Sequence, residues 1–151
     1  MRALIQRVSQ AQVTVNQEVL AHIEAGLLVF LGVTHADQRQ DALWLAGKVS
    51  RLRIFTDPAG KMNLSVREIG GSVLVVSQFT LYADAQRGNR PGFDKAAPPE
   101  QAESLYLAFC AELRRIGLPV QTGRFAANMQ VDLINDGPVT IGLESPSQEI
   151  R

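Results

Sequence analysis

The amino-acid sequence predicts a single α+β domain over residues 1–151, layered β/β/α, with a mixed, barrel-like sheet arrangement and two main helices on one side. Residues 73–76 are four consecutive branched apolar residues, which is typical of a strand buried on both faces. Two stretches, beginning near residues 37 and 98, switch to the helical spacing of apolar residues, while shorter alternating segments flank them. A chain of 151 residues with 46% hydrophobic content is long and apolar enough for one proper core.

The first third of the chain predicts a β-hairpin, a third strand and a helix. Residues 3–8 and 11–15 alternate apolar and polar side chains, residues 16–17 offer a turn, and residues 18–23 return. Residues 26–33 form an apolar run that predicts another strand. We expect Asp37 to be the N-cap of the first helix. The apolar residues at helical spacing are Ala42, Leu45, Val49 and Leu52.

The remainder alternates extended segments with a long loop and a second helix. Residues 53–55 and 62–66 flank a turn at residues 57–60, and residues 84–98 show no periodicity. The second helix begins at residues 98–100 and ends at Gly117. Residues 120–125, 129–133 and 139–143 are extended, with a turn predicted at residues 135–138 and a frayed tail at residues 145–151. Roughly seven to nine strands follow from this pattern.

Composition and charge exclude several classes of protein. Fifteen basic residues balance fifteen acidic ones, so a nucleic-acid partner would need a local basic patch. The single cysteine, Cys110, excludes an intrachain disulfide and suits a reducing compartment. No signal-peptide pattern opens the sequence, and the longest apolar stretch, residues 25–33, is too short to span a bilayer. We therefore expect a cytoplasmic protein without a membrane partner.

Polar residues directly follow the buried strand. They include Ser77, Gln78 and Thr80. Burying any of these side chains without hydrogen-bond partners would cost on the order of 1–3 kcal/mol of folding stability. Any one of them could be satisfied by neighbouring backbone at a sheet edge. Together, where the strand emerges, they predict a site.

Familiar arrangements of catalytic or metal-binding side chains are mostly absent from the sequence. His22 and His35 are far from any ligand-spaced cluster, so we expect no metal and no cofactor, and Cys110 fits a small core residue better than a nucleophile. Thr80 could act as a nucleophile only beside a base. Backbone N–H groups could instead stabilise an oxyanion. Gly137 and Pro138 could approach a ligand closely, although on spacing alone an ordinary turn is the better explanation.

Two motifs resemble those of the D-aminoacyl-tRNA deacylases. They are Ser77-Gln78-Phe79-Thr80-Leu81 and Asn135-Asp136-Gly137-Pro138-Val139-Thr140, and residues 6–8 and 11–15 are similar to that family's start. The resemblance covers essentially the whole chain. It implies a homodimer, with active sites at the subunit interface, that hydrolyses the ester joining a D-amino acid to the 3′ adenosine of tRNA. Glycine, including glycine mischarged on tRNA-Ala, would also be released.

The resemblance also implies residue roles. Gly137-Pro138 would be cis and would enter the partner subunit's pocket to exclude an L side chain, with Arg7 steadying it. Asn135 and Thr140 belong to the same motif and are expected in the substrate site. Arg7 could instead be a surface charge on an edge strand.

The backbone around Phe79 and Thr80 would face the ester, with Ser77 and Gln78 shaping the site. Met129 and the Phe79 ring would hold the adenine, although both could be plain core. We expect assistance from the ribose 2′-hydroxyl together with backbone oxyanion stabilisation, with Thr80 as nucleophile the alternative.

The loop carrying Arg87, Arg90 and Lys95 is the candidate contact for tRNA phosphates, or else simply a solvated loop. Two other functions stay open on sequence alone. One is a small RNA-binding domain without activity, and the other is a hydrolase of free D-amino-acid esters or amides.

Overall fold

A computed structural model describes residues 1–146 and confirms the α+β fold class. Its elements in chain order are β1 (Arg2–Val15), β2 (Glu18–Ile23), β3 (Gly26–Gly32), α1 (Arg39–Arg51), β4 (Phe55–Thr56), β5 (Met62–Leu64), β6 (Ser72–Ser77), a 3-10 helix (Phe79–Tyr82), α2 (Pro99–Ile116), β7 (Val120–Thr122) and β8 (Gln130–Glu144). No helix in this part of the chain is long and apolar enough to cross a membrane.

Strand β1 organises the main sheet. Along one edge it pairs with β8, and along the other it pairs first with β3 and then with β2, all antiparallel. Strands β3, β6 and β7 continue the sheet in parallel, which makes it mixed. The His22 N–H donates to the Gln121 side chain at 2.8 Å, linking β2 to β7 and nearly closing a barrel.

Two apolar cores lie on opposite faces of this sheet. Val73 and Val75 of β6 pack toward α1 and α2, whereas Leu74 and Val76 point into the barrel interior. All four side chains are buried, as the unbroken apolar run predicts. The polar residues at the end of β6 therefore emerge from a strand that is fixed on both faces.

The helix boundaries agree with the sequence pattern except at one cap. The N-cap of α1 is Gln38, whose N–H donates to the Asp41 carboxylate at 2.8 Å, so the expectation of Asp37 is wrong. The Asp37 carboxylate instead accepts hydrogen bonds from the Met1 ammonium and the Thr34 N–H, both at 2.7 Å. That carboxylate therefore ties the start of β1 to the loop before α1.

The predicted turn at residues 135–138 is absent, because β8 runs unbroken through it. Strand β1 pairs Gln6 with Thr140 and Val8 with Asn135, so the additional residues of β8 are accommodated as a bulge between those pairs. Ladder pairing on both sides overrides the local turn signal. The Asn-Asp-Gly-Pro sequence thus forms a projection on a continuous strand.

The expectation of a frayed tail is wrong at its first residue. The Ser145 N–H donates to the Met1 carbonyl at 2.8 Å, and the Ser145 hydroxyl accepts from the Met1 ammonium at 2.7 Å. Residues 147–151 of that expectation lie outside the described residues. The end of β8 is thus fastened to the start of β1.

Candidate active site

A cleft of about 650 Å³ opens where β6 ends. Its walls come from the start of the 3-10 helix, the loop before α2 and the segment between β7 and β8. The cleft brings Ser77, Gln78 and Phe79 together with Met129, which lies fifty residues further along the chain. Four predicted site residues therefore share one cavity.

The described lining is mostly apolar, with three polar side chains, those of Ser77, Gln78 and Asn128. The chemistry that such a wall offers is hydroxyl, amide and main-chain hydrogen bonding. It suits positioning a substrate that is already reactive. Across residues 1–146, no group of three or more His, Cys, Asp or Glu side chains could hold a metal ion.

The segment after β6 is fixed by hydrogen bonds of its own. The Gln78 N–H donates to the Leu31 carbonyl at 2.8 Å, and the Gln78 side-chain amide donates to the Thr80 hydroxyl. Thr80 is exposed and lies outside the described lining of the cleft. The N–H groups of Phe79 and Thr80 begin a 3-10 helix, so neither has an acceptor within that helix.

Two phenylalanine rings form the mouth of the cleft. Phe79 and Phe93 meet edge to face with ring centroids 5.0 Å apart. They are 55% and 37% exposed, which is unusual for rings of this size and leaves apolar surface available to a ligand. Phe93 and Asn128 line the cleft but are not among the residues predicted from the sequence. The available signal for Phe93 was an aromatic residue inside an aperiodic loop that also carries basic residues.

Gly137 and Pro138 lie outside the described lining of this chain's own cleft. Both are exposed, and the peptide bond between them is cis. Gly137 has φ +146°, and a Cβ there would stand 2.7 Å from Val139 Cγ2. The projection therefore requires glycine at position 137. Within the described part of one chain, the projection and the residues after β6 do not line the same cleft.

Arg7 holds the base of this projection. Its side chain is only 10% exposed, and the guanidinium donates to the Asp136 carbonyl at 2.8 Å and to the Ile54 carbonyl at 2.7 Å. The Asp136 carboxylate is a further 3.8 Å contact. Arg7 is thus a buried cation that joins β1, the residue before β4 and the bulge of β8.

Asn135 and Thr140 brace the same projection from its two ends. The Asn135 side-chain oxygen accepts from the Val139 N–H at 2.8 Å, and its amide donates to the Thr140 hydroxyl at 3.0 Å. Gln6 donates to the same hydroxyl at 3.3 Å. Both predicted site residues therefore contact the motif itself in this chain.

The three basic loop residues gather around one depression. Arg87, Arg90 and Lys95 border a concavity of about 370 Å³ together with acidic neighbours. The Lys95 ammonium lies 3.9 Å from the Asp84 carboxylate, and both groups are well exposed. Because Phe93 belongs to the same loop, the basic depression and the mouth of the cleft are neighbours along the chain.

Cys110 fits the core interpretation. It is buried among the apolar residues between the sheet and the helices, and burial raises the pKa of its thiol to about 11. Burial, followed by the charge of Asp37, likewise raises the pKa of Tyr82, at the end of the 3-10 helix. Both groups therefore stay protonated at neutral pH.

Comparisons with known proteins agree with these motifs. A family model described as D-Tyr-tRNA(Tyr) deacylase matches residues 4–144. A protein of Anaeromyxobacter dehalogenans named D-aminoacyl-tRNA deacylase is 61% identical over 96% of this chain and 97% of its own length. A Thermotoga petrophila protein of the same name is 58% identical over the same shares.

Solved structures agree with the fold. One titled c-Myc DNA Unwinding Element Binding Protein has a TM-score of 0.92 and 43% identity, over 97% of this chain and all of its own. A structure titled as a probable eukaryotic D-amino acid tRNA deacylase, at 18% identity and a TM-score of 0.80 over 95% and 98% of the two chains, supports the fold alone. Matched over nearly its full length by the family model and by these relatives, the chain belongs to the D-aminoacyl-tRNA deacylase family of ester hydrolases.

Proposed function

We propose that this chain hydrolyses the ester between a D-amino acid and the 3′ adenosine of tRNA, releasing the free amino acid and the tRNA. The observation that carries the proposal is the cleft itself, whose mostly apolar lining includes Ser77, Gln78 and Phe79 at the end of β6. An aminoacyl ester is already activated. A site that orients it and stabilises the developing oxyanion is therefore enough.

In the proposed mechanism, water attacks the ester carbonyl with help from the neighbouring ribose 2′-hydroxyl. The N–H groups of Phe79 and Thr80 donate to the oxyanion, and the ribose 3′-oxygen leaves with a proton. The alternative is a covalent intermediate on Thr80. The Gln78 amide donates to the Thr80 hydroxyl. This hydrogen bond occupies a lone pair of the Thr80 Oγ and makes that oxygen a weaker nucleophile. Thr80→Ala should therefore keep substantial activity, and loss of activity in a folded Thr80→Ala protein would favour the covalent route.

We propose that chirality is checked across a homodimer. Gly137 and Pro138 project from β8, are braced by Arg7 and Asn135, and lie away from their own cleft. In a symmetric dimer, each projection enters the cleft of the other subunit. There its main-chain carbonyls leave no room for an L side chain. Glycine has no side chain to exclude, so glycyl-tRNA, including glycine mischarged on tRNA-Ala, is a substrate as well.

Aromatic and basic residues account for tRNA binding in this proposal. Phe79 and Met129 hold the adenine against the cleft, and stacking on such a ring contributes about 1–3 kcal/mol per base. Arg87, Arg90 and Lys95 contact backbone phosphates near the mouth. A tRNA substrate is consistent with a cytoplasmic enzyme.

The decisive assay compares D-aminoacyl-, L-aminoacyl- and glycyl-tRNA side by side. We expect rapid deacylation of the D and glycyl forms while the L form survives. A protein that leaves all three intact would rule the proposal out. A D-amino-acid ethyl ester, hydrolysed as fast as the tRNA ester, would point instead to a hydrolase of free esters.

Subunit complementation tests the shared site. Phe79→Ala damages the cleft, and Gly137→Ala displaces the projection because its Cβ would clash with Val139. Phe79→Ala should be inactive alone, whereas Gly137→Ala alone should still deacylate the D ester but no longer reject the L ester. After unfolding and refolding together in equal amounts, half of the dimers carry one variant of each kind, and in each of these one intact cleft receives one intact projection. Mixed dimers, isolated by a tag on one subunit, should therefore hydrolyse the D ester while the L ester survives. Mixed dimers that hydrolyse the L ester as readily as Gly137→Ala does would contradict a site built across subunits.

The basic loop is tested by the salt dependence of KM. Arg87→Ala and Arg90→Ala should each raise KM and reduce the slope of log KM against log salt by about one. Arg67→Ala, at an exposed arginine outside the loop, is the matched control. Equal slopes in all three variants would show that the loop is only solvated.

A further inference from the structure

We propose that Arg2 is a positioning residue that fixes the 3-10 helix carrying Phe79 and Thr80 relative to the ester. This inference rests on the proposed function, because it assigns the residue that orients that same site. Arg2 lies outside both motifs, at the start of β1.

The Arg2 guanidinium contacts the end of the 3-10 helix in two ways. It donates to the Leu81 carbonyl at 3.0 Å, and it lies over the Tyr82 ring, 4.4 Å from the ring centroid. Its Nε also donates to the Glu144 carboxylate at 3.3 Å. One planar cation thus bonds the helix terminus and is itself oriented by the end of β8.

The backbone that carries Arg2 is fixed on both sides. Arg2 pairs with Gly32 of β3 and with Glu144 of β8. The preceding residue, Met1, is buried and is anchored through its ammonium to Asp37 and Ser145. The side chain therefore reaches the helix from a rigid position.

The 3-10 helix also rests against bare backbone of β3. A Cβ on Gly32 would stand 3.1 Å from Leu81 Cβ and 3.2 Å from both the Gln78 carbonyl oxygen and Tyr82 Cδ2. Gly32, the last residue of β3, thus lets the helix sit directly on the sheet. Arg2, the partner of Gly32 on β1, contacts the end of the same helix.

The Tyr82 ring is held by packing and by Arg2 rather than by its hydroxyl. Tyr82 is 4% exposed, and its hydroxyl has no hydrogen-bond partner among the described residues. The Arg2 contacts therefore supply directional polar links to this end of the helix. Loosening them lets a four-residue helix tilt, which moves the N–H groups of Phe79 and Thr80. Displacements of about 1 Å in a reacting geometry can lower rates by about a hundredfold.

The kinetic test compares Arg2→Met, Arg2→Lys and the matched control Arg115→Met. Arg115 is an exposed arginine on α2 that also pairs with a glutamate, Glu112. With D-aminoacyl-tRNA, we expect Arg2→Met to lower kcat by about tenfold and to leave KM within about twofold. Arg2→Lys should recover most of kcat, because an ammonium can still bond the Leu81 carbonyl and lie over the Tyr82 ring.

Hydrogen exchange supplies a second measurement that needs no substrate. The Leu81 and Ala83 N–H groups donate to carbonyls at the start of the helix, so their exchange rates report its integrity. Arg2→Met should accelerate both by at least about fivefold, and Arg115→Met should change neither.

An unchanged kcat in Arg2→Met overturns the proposal, whether or not the melting temperature falls. So does an equal loss of kcat in Arg115→Met, or unchanged exchange at both amides. Wild-type protein that leaves D-aminoacyl-tRNA intact would refute the proposed function instead. In that case the exchange rates alone decide whether Arg2 fixes the helix.

Discussion

Replacing the buried Arg7 with methionine should both destabilise the fold and weaken discrimination between D and L substrates. Methionine keeps much of the length and the apolar packing of the arginine stem but removes both donors. The Asp136 and Ile54 carbonyls then lose the bonds that join the bulge of β8 to the rest of the chain. Asp136 is exposed and can bond water, whereas the bond to the Ile54 carbonyl is buried.

The size of the effect follows from these two bonds. Each hydrogen bond from a charged donor contributes about 1.5–3 kcal/mol, and part of the sum is returned because a cation no longer has to be buried. We expect a net loss of about 2–4 kcal/mol in the free energy of unfolding. For a domain of this size that lowers the melting temperature by about 5–15 °C. Arg115→Met, which removes an exposed arginine with two bonds to Glu112, should hardly change it.

Thermal unfolding and deacylation of D- and L-aminoacyl-tRNA check both effects. Below the melting temperature of the variant, we expect the ratio of D to L rates to fall by about tenfold, a change of about 1.4 kcal/mol. The melting temperature and the D to L rate ratio of Arg7→Lys should lie between those of the wild type and Arg7→Met, since lysine keeps the charge but lacks the planar fork of the guanidinium. An Arg7→Met protein that has the melting temperature of the wild type and still rejects the L substrate would show that the position of the projection does not depend on Arg7.

Three smaller perturbations test other features. Tyr82→Phe removes a buried hydroxyl that has no hydrogen-bond partner among the described residues. Urea unfolding should therefore show a free energy of unfolding equal to or slightly higher than that of the wild type, and a clear decrease would contradict this expectation. Gly123→Ala places a Cβ against the Met129 sulfur and pushes the thioether into the cleft, so KM should rise by about fivefold. An unchanged KM would show that Met129 does not take part in substrate binding. Because burial raises the pKa of Cys110 from 9.0 to about 11, alkylation at pH 8 should be at least about a hundredfold slower in the native than in the unfolded protein. Between pH 9 and 11 the unfolded thiol ionises while the folded thiol stays protonated, so stability should fall with rising pH, and less steeply in Cys110→Ala.

The architecture was predictable where the pattern is periodic. An unbroken apolar run predicts strand β6, and apolar residues at helical spacing predict helix α2. Both elements occur where the pattern predicts them. The errors arise where a distant residue competes with a local signal. Asp37 resembles an N-cap, but its carboxylate is engaged by the Met1 ammonium, thirty-six residues away. The turn signal at residues 135–138 is overridden by pairing with β1 on both sides.

The site was predictable as far as its motif residues extend. Ser77, Gln78, Phe79 and Met129 meet in one cleft because the segment between β7 and β8, whose Gly123 N–H donates to the Val75 carbonyl of β6, brings Met129 to the end of β6. Phe93 could not be placed, since it comes from a loop without periodicity, and loop conformation depends on contacts that the local sequence does not encode.

Strand β1 contributes the residues that hold both motifs in place. Arg2 donates to the Leu81 carbonyl at the end of the first motif, and Arg7 donates to the Asp136 carbonyl inside the second. Both acceptors are main-chain oxygens, so the arginines fix backbone rather than side chains. This arrangement suits a site whose proposed selectivity and oxyanion stabilisation depend on main-chain atoms, because positional error in the backbone would pass directly to the reacting groups. An alanine or lysine scan of the side chains that line the cleft would therefore underestimate the role proposed for β1, whose Arg2 and Arg7 lie outside the described lining and contact the backbone of both motifs.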